Sequence, residues 1–320
     1  MAGANLPAKK YKKTSPTITR LSFEFDGGST QFISIARALS IVNRKFYRAG
    51  VYYYVNSVEV YNDETGVVDL HTLPDNWITK NAHSRAFQLY QKMNALPAEA
   101  GASGYRGKYH DFKVYMSNRH RTAGDTEPSL YDINATQQTY QSDNWDYSQF
   151  VSADDNDDDN QDADEFVVHM IGPHINAAGG NTPHANGWAS IGLIKSYQDS
   201  RAKVQASSPD LDSELPTDPL INVFDFSSEE QMNDILENLD QHNDAPPYDQ
   251  SSMIGEGVPS MQHVSRIGTE VGVGRVGRAS GFCAPLGLIC VDPHGLNTAF
   301  RVVLNLAVGT YHGVYAERAF

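Results

Sequence analysis

The sequence predicts an all-β protein: a mainly antiparallel sandwich of short strands with helical insertions in its connections. The 320 residues include 25 Gly, 15 Pro, 17 Tyr and 13 Phe, and this mixture suits strands and turns better than a helix bundle. Apolar residues follow a strand pattern in roughly ten to fourteen short segments and a helical pattern in about three. Because these segments do not alternate regularly between strand and helix, we do not expect a parallel α/β sheet.

The first quarter of the chain predicts three strands and one helix. Apolar and polar residues nearly alternate over 18–26, and the segments 51–62 and 67–73 are rich in aromatic and β-branched residues, as strands are. An apolar stripe over 34–48 predicts a helix that Ser34 can cap at its start. Since turn-forming residues separate the last two strands, we expect those strands to pair as a hairpin.

The middle of the chain predicts two more helices among short strands. One helix is expected over 79–94, where Pro97 would end it, and the other over 228–241, after a capping box. Strands are expected at 110–117, 130–136, 166–171, 188–197 and 220–226.

The last part of the chain, from residue 263, is mostly strand by composition. Alternation near the end predicts a strand whose apolar side chains face the interior of the sandwich. These side chains are Phe300, Val302, Leu304 and Leu306.

The distribution of polar residues along the chain predicts its domain organisation. Residues 1–17 are polar and contain no acidic residue, which predicts a short basic flexible arm. Residues 18–320 are expected to form one domain with long polar insertions. No secretory signal and no membrane-spanning segment is expected from the residue pattern.

Charge is distributed unevenly along the chain. The 25 basic and 39 acidic side chains give a net charge of −14, so an overall positive field is absent. Residues 1–50 carry nine basic and two acidic side chains, whereas 151–250 carry three basic and twenty-one acidic ones. The two regions are therefore expected to face different surroundings.

Four lysines in the arm are candidate contacts for nucleic acid. They could bind about four phosphates weakly and in a salt-sensitive way, with Tyr11 as a stacking surface. The alternative is a tail that only increases solubility. The lysines are Lys9, Lys10, Lys12 and Lys13.

An acidic run at 154–165 is a candidate calcium site. Its oxygen-bearing residues fall at positions 1, 3, 5, 9 and 12 of an EF-hand-like loop, but Asp159 replaces the glycine that position 6 requires. We therefore expect either a looser structural Ca²⁺ site or a solvated, self-repelling loop. The candidate ligands are Asp154, Asn156, Asp158, Asp162 and Glu165.

The two cysteines, Cys283 and Cys290, exclude a disulfide framework and a Cys-rich zinc module. Two reduced, buried thiols are expected, and a disulfide across a turn at 286–287 is the alternative. The eleven histidines show no HExxH spacing, and His169 and His174 have no carboxylate partner at metal spacing, so we expect them to be surface histidines or hydrogen-bonded core histidines.

No motif predicts an enzyme. The match to GxGxxG at Gly272, Gly274 and Gly277 is followed too closely by glycine and proline for the helix that a dinucleotide needs. The chain also lacks a GxSxG elbow and a phosphate-binding P-loop. We expect no catalytic residue and no cofactor other than the possible Ca²⁺.

Several segments, in this order, resemble capsid proteins of small circular single-stranded DNA viruses. The segments are ALSIVNRKFYRAG at 38–50, YYYVNSVEVYN at 52–62, LPDNW at 73–77, DFK at 111–113, FVVHMIG at 166–172, GLIKSYQDSR at 192–201 and NDAPPY at 243–248.

The resemblance implies a viral jelly roll, an eight-stranded antiparallel sandwich whose copies assemble into an icosahedral virion shell around a small DNA genome. It implies partners in the form of many copies of the chain and other virion proteins. Such proteins often begin with a long Arg-rich arm, whereas this chain has a short Lys cluster. An internal membrane or a separate packaging protein would account for that difference.

Two alternatives remain open at this point. A double jelly roll would place a domain boundary near 152–165. A carbohydrate-binding β-sandwich or glycosidase-like protein would present an open groove lined by Trp77, Trp145 or Trp188.

Overall fold

The computed structural model describes most of the chain in separate stretches. They are residues 16–99, 111–122, 129–131, 145–152, 164–176, 188–202, 251–255, 257–269 and 276–318.

In these stretches the strands are β1 (Arg20–Phe25), β2 (Gln31–Ser34), β3 (Val51–Tyr61), β4 (Gly66–Thr72), β5 (Tyr115–Ser117), β6 (Ser129–Tyr131), β7 (Gln149–Ser152), β8 (Asp164–Ile171), β9 (Ile175–Asn176), β10 (Trp188–Gly192), β11 (Gln262–Thr269), β12 (Val276–Ala284), β13 (Leu288–His294), β14 (Phe300–Leu306), β15 (Val308–Tyr311) and β16 (Ala316–Arg318). The helices are α1 (Ile35–Asn43), α2 (Trp77–Glu99), α3 (Asn118–Thr122) and α4 (Leu193–Ala202).

The strands form three sheets. The first has the order β12-β3-β14-β1-β6, with β16 also paired to β3, and the second has the order β11-β4-β13-β2. Every described pairing in these two sheets is antiparallel. The third sheet, β5-β8-β10-β9 with β7 beside β8, contains two parallel pairs. The structure is therefore mainly β, and its antiparallel character belongs to the first two sheets.

The first two sheets bury one hydrophobic core between them. Alternate residues of each strand supply it, as the period of two in an extended chain requires. Phe25 of β1 and Phe300 of β14 stack at 5.2 Å between ring centroids and are both buried. The predicted inward face of β14 is confirmed, because Phe300, Val302, Leu304 and Leu306 all belong to this core.

A second core lies on the other side of the second sheet. Phe32 of β2 and Cys290 of β13 belong to it, whereas their neighbours Ile33 and Val291 belong to the first core. Residues from α2, α4 and β8 complete the second core. The second sheet is thus covered on one face by the first sheet and on part of the other face by the helices and third sheet.

Several predicted elements are confirmed. The strands at 18–26, 51–62 and 67–73 match β1, β3 and β4. Ser34 caps α1, and its side chain accepts a hydrogen bond from the Arg37 backbone N–H. The helix ends earlier than predicted, at Asn43, because Arg44 adopts the left-handed conformation with φ of 50°.

The predicted hairpin between the strands at 51–62 and 67–73 is wrong. β3 lies in the first sheet and β4 in the second. β3 already has β12 and β14 on its two sides along most of its length, so no free edge remains for β4. The turn after Tyr61 instead carries the chain from one sheet to the other.

Three further predictions need correction. The segment 188–197 is strand only to Gly192, and Leu193 begins α4. The backbone of α2 continues past Pro97 to Glu99. The strand expected at 110–117 is shorter, at 115–117. The strand expected at 130–136 is described only over 129–131, and 132–136 lie outside the described residues. The strand at 220–226 and the helix at 228–241 lie outside the described residues.

Both cysteines are free. Cys290 is buried and Cys283 is half-buried, in agreement with the reduced thiols that the sequence favoured. Burial raises the pKa of each thiol, so both stay protonated at neutral pH. Gly277 lies in β12 rather than at the start of a helix, which agrees with a strand rather than a dinucleotide loop.

No helix in the described stretches combines the length and apolar character that crossing a bilayer requires.

The Phe25–Phe300 stack should dominate the stability of the first core. We expect Phe25→Ala to lower the free energy of unfolding by about 3–5 kcal/mol, because it removes a fully buried ring and leaves a cavity. The measurement is urea unfolding followed by tryptophan fluorescence. Ile18→Ala is the control, since Ile18 is 47% exposed and should cost less than about 0.5 kcal/mol. Equal losses for the two variants would contradict this packing.

Candidate functional site

Most residues that the sequence singled out lie outside the described stretches. This holds for the four arm lysines, Lys9, Lys10, Lys12 and Lys13, and for four of the candidate calcium ligands, Asp154, Asn156, Asp158 and Asp162. Glu165, the fifth ligand, is an exposed residue of β8 opposite Val151 of β7. Nucleic-acid binding by the arm and Ca²⁺ binding by the acidic run stay predictions.

The uncovered part of the second sheet carries a polar cluster that we call the His–Asp network. In β4, Val68 and Leu70 face the first core, so the alternate residues Asp69 and His71 face outward. Cross-strand pairing brings residues of β11 and β13 beside them. The network consists of Asp69, His71, His263, Arg266, Asp292 and His294.

Asp69 is the centre of this network. Its Oδ1 lies 3.5 Å from His263 Nε2 and 3.4 Å from Arg266 Nε, and its Oδ2 lies 3.3 Å from His294 Nε2. The Asp69 side chain is 12% exposed, whereas its three partners are more than half exposed. One nearly buried carboxylate therefore holds three basic side chains on the sheet surface.

Asp292 extends the network to the neighbouring strand. Its Oδ2 lies 3.4 Å from His294 Nε2, and its Oδ1 accepts a hydrogen bond from the Thr30 hydroxyl at 2.5 Å. His294 thus lies between two carboxylates.

His71 has a different environment within the same network. It is buried, and its ring meets that of His263 edge-on at 5.1 Å. Burial, and then the nearby His263, lower the pKa of His71. Burial therefore favours the neutral form of His71. Within the described stretches no group of His, Cys, Asp or Glu could hold a metal ion, so we describe the network as ion pairs and hydrogen bonds.

A cleft of about 600 Å³ is the second candidate site, and we call it the Arg48–Arg318 cleft after two of its lining residues. It lies where α2 meets β16 and the loop after α1. Phe87 and Tyr311 also line it, and so does the buried Asp111.

Hydrogen bonds fix the walls of this cleft. Asp111 Oδ2 accepts from the Ala49 backbone N–H at 2.9 Å, and Tyr311 OH accepts from the Arg48 backbone N–H at 3.0 Å. Burial raises the pKa of Asp111, although the Ala49 N–H opposes that shift by stabilising the carboxylate. His83, behind the same wall, is fully buried against Phe112, and burial lowers its pKa to about 3.

The first described residues of the chain lie close to this cleft. The Pro16 carbonyl accepts from Lys45 Nζ at 2.8 Å, and the Thr17 hydroxyl donates to the His312 carbonyl at 2.6 Å. His312 directly follows Tyr311, which lines the cleft. The basic arm therefore joins the folded part of the chain near the Arg48–Arg318 cleft.

The three tryptophans contact different neighbours in the described part of the chain. Trp77 contacts Tyr197 edge-on, Trp188 contacts His174, and Trp145 lies under Lys113. The clefts of about 430–600 Å³ that the described residues form have no tryptophan among their lining residues.

His169 confirms the expectation of a hydrogen-bonded core histidine. It is fully buried, with Nδ1 at 2.7 Å from the Ser190 hydroxyl and Nε2 at 3.0 Å from the Pro173 carbonyl. The His–Asp network and the cleft were not found from the sequence. The outward position of Asp69 and His71 can be inferred from strand alternation, but their partners lie about 190 or more residues further along the chain.

Comparisons with family models, with curated proteins and with solved structures gave no match to this chain.

His83 should make the folded chain sensitive to acid. Its pKa is about 3 in the fold against roughly 6.5 in an unfolded chain, so the unfolded state binds more protons between these values. Stability is then complete above about pH 6.5 and falls as the pH decreases towards 3. We expect His83→Phe to reduce this fall in melting temperature. Phe87→Leu is the control, because it alters the same packing but keeps His83. A wild-type pH slope in His83→Phe would contradict this assignment.

Asp69 should stabilise the fold through electrostatic contacts that salt can screen. We expect Asp69→Asn to cost about 1 kcal/mol at low ionic strength and clearly less in 1 M NaCl, since three basic side chains lose one partner. The measurement is chemical unfolding at the two salt concentrations. Asp199→Asn serves for comparison, because Asp199 is 50% exposed and pairs with Lys195 on one helix face. A loss independent of salt would exclude an electrostatic role for Asp69.

Proposed function

We propose that this chain is a structural shell protein, a major capsid protein whose copies assemble into an icosahedral virion shell around a small DNA genome. The structural observation that supports the proposal, beside the ordered resemblance to capsid proteins, is the order in which eight strands pair. In chain order these strands are β1, β2, β3, β4, β11, β12, β13 and β14.

The eight strands pair from the outside inward. The first pairs with the eighth, the second with the seventh, the third with the sixth and the fourth with the fifth. The third also pairs with the eighth, and the fourth with the seventh. This nested antiparallel pairing, divided over two facing sheets, supports a jelly-roll fold, which is an eight-stranded sandwich of two Greek keys.

The same pairing favours one jelly roll over two. Its eight strands come from residues 20–72 and 262–306, on the two sides of the suggested boundary at 152–165. The described residues between them include β6, which pairs with β1, the helices α2, α3 and α4, and the third sheet, which contains parallel pairs. An insertion between the fourth and fifth strands fits this arrangement better than a second antiparallel barrel.

Jelly rolls occur in viral capsids, in lectins and in other proteins, so the fold alone does not decide the function. The ordered resemblance to capsid proteins favours the shell. Separate exposed apolar side chains add support, because a subunit of a closed shell needs several self-complementary patches. Leu89 and Leu96 of α2 are 57% and 63% exposed, and Val308 of β15 is 73% exposed.

The proposal assigns no reaction to the chain. Its partners are further copies of itself, other virion proteins, and either the viral DNA or an internal membrane. The short Lys cluster of the arm, in place of a long Arg-rich arm, is the reason to keep the membrane as an alternative.

Assembly is the direct test of this proposal. We expect the purified full-length chain to form closed particles of uniform diameter, seen by negative-stain electron microscopy and by light scattering. Monodisperse monomers under all salt and pH conditions tried would contradict the shell function and favour a carbohydrate binder, which a glycan array would then detect.

A double variant tests whether one face of α2 is a contact between copies of the chain in the shell. We expect Leu89→Asp combined with Leu96→Asp to shift the chain from particles to free subunits without lowering its melting temperature, since both side chains are exposed. Gln91→Asp on the same helix adds charge without removing an apolar contact and should still assemble. Normal particles from the double variant would exclude this face of α2 as a contact.

A further inference from the structure

We infer that the Arg48–Arg318 cleft binds a nucleotide unit, that is, a phosphate together with its planar base, from a single-stranded nucleic acid or a free nucleotide. The inference deepens the proposed shell function, on which it rests for its biological setting. Its chemistry is argued from the side chains that line the cleft.

Two arginines supply the phosphate-binding part. Arg48 follows α1 and Arg318 lies in β16, so distant parts of the chain bring both into one cleft. Both are exposed, and a guanidinium group can bind phosphate oxygens through two parallel hydrogen bonds. Glu317, beside Arg318, is engaged by the hydroxyls of Tyr54 and Tyr315 and does not line the cleft.

Two aromatic side chains supply a surface for the base. Phe87 and Tyr311 are half-buried and line the cleft. Tyr311 is held by the Arg48 backbone N–H and by an edge-on contact with Tyr47 at 6.1 Å. A ring fixed in this way loses little entropy when a base stacks on it, and such stacking accepts any base.

Asp111 adds a means of distinguishing bases. It is 7% exposed, and its Oδ2 already accepts from the Ala49 N–H. A carboxylate has lone pairs for further donors, and the exocyclic amino groups of cytosine, adenine and guanine are such donors. Thymine has no amino group, and the two carbonyl oxygens that flank its N3–H would be repelled by the carboxylate, so the cleft should prefer the other three bases.

The size and position of the cleft agree with this ligand. A volume of about 600 Å³ is in the usual range for small-molecule sites. The first described residue is Pro16, three residues after Lys13, and its carbonyl accepts a hydrogen bond from Lys45 Nζ.

Binding of fluorescein-labelled oligodeoxycytidine to the unassembled full-length chain tests the inference. We expect Arg48→Ala with Arg318→Ala to weaken binding by about 10- to 100-fold and to reduce the slope of log affinity against log salt by about 1.4, at about 0.7 per phosphate contact of a single strand. Arg85→Ala with Lys92→Ala is the matched control, because those two cations line a different groove between α2 and α4. The control should change affinity less than about twofold.

Base preference is the second readout. We expect the wild type to bind oligodeoxycytidine more tightly than oligodeoxythymidine, and Asp111→Asn to remove that difference while keeping the Ala49 hydrogen bond. Should Asp111→Asn fail to fold, competition by dCMP and dTMP against the wild type provides the same comparison. If mononucleotides compete at about the same concentration per base as the oligonucleotide, the ligand is a free nucleotide. If only oligonucleotides compete, the ligand is a nucleic acid.

Two results would overturn the inference. One is unchanged binding by the double arginine variant. The other is that poly-glutamate competes as well as the oligonucleotide while Tyr311→Leu has no effect, which would assign the cleft to an acidic peptide. Particle assembly by the same variants is measured separately, so a failure of nucleotide binding and a failure of the shell function can be distinguished.

Discussion

The second sheet has to bury apolar side chains on both of its faces, and this requirement organises the molecule. Ile33 and Val291 face the first core, while Phe32 and Cys290 face the second. A two-layer sandwich would leave the second set in water, at a cost of roughly 1.5–3 kcal/mol for a large apolar side chain. The insertion that carries α2, α4 and the third sheet covers these residues, and only the uncovered remainder can hold a polar group such as the His–Asp network.

The position of a strand in the sequence could be predicted more readily than the strands with which it pairs. Alternation located β1 and β14, and Ser34 marked the start of α1, because these signals lie within a few residues. Pairing depends on residues far apart: Glu64 accepts from the backbone N–H of Asn297, over 233 positions. For the same reason the hairpin between β3 and β4 was wrong, and Leu193 and Ile194 were assigned to a strand although tertiary packing places them in a helix.

The candidate sites could not be predicted because each is assembled by those long-range pairings. Asp69 meets its three basic partners only after β11 and β13 align on both sides of β4. The cleft likewise combines Arg48, Asp111 and Arg318 from three separate parts of the chain. The charge asymmetry of the sequence shows that the N-terminal region is basic, but it does not indicate the aromatic rings and the carboxylate that line the cleft.

The nested pairing also has a consequence for biosynthesis. β1 pairs with β14, so β1 leaves the ribosome about 275 residues before this partner. The same delay applies to β2, β3 and β4, whose partners all follow residue 260. Until those residues have been made, the apolar faces of these strands lack their pairing partners, and such strands are prone to aggregate. A chaperone that shields the first 72 residues would therefore act before, rather than after, the sandwich closes.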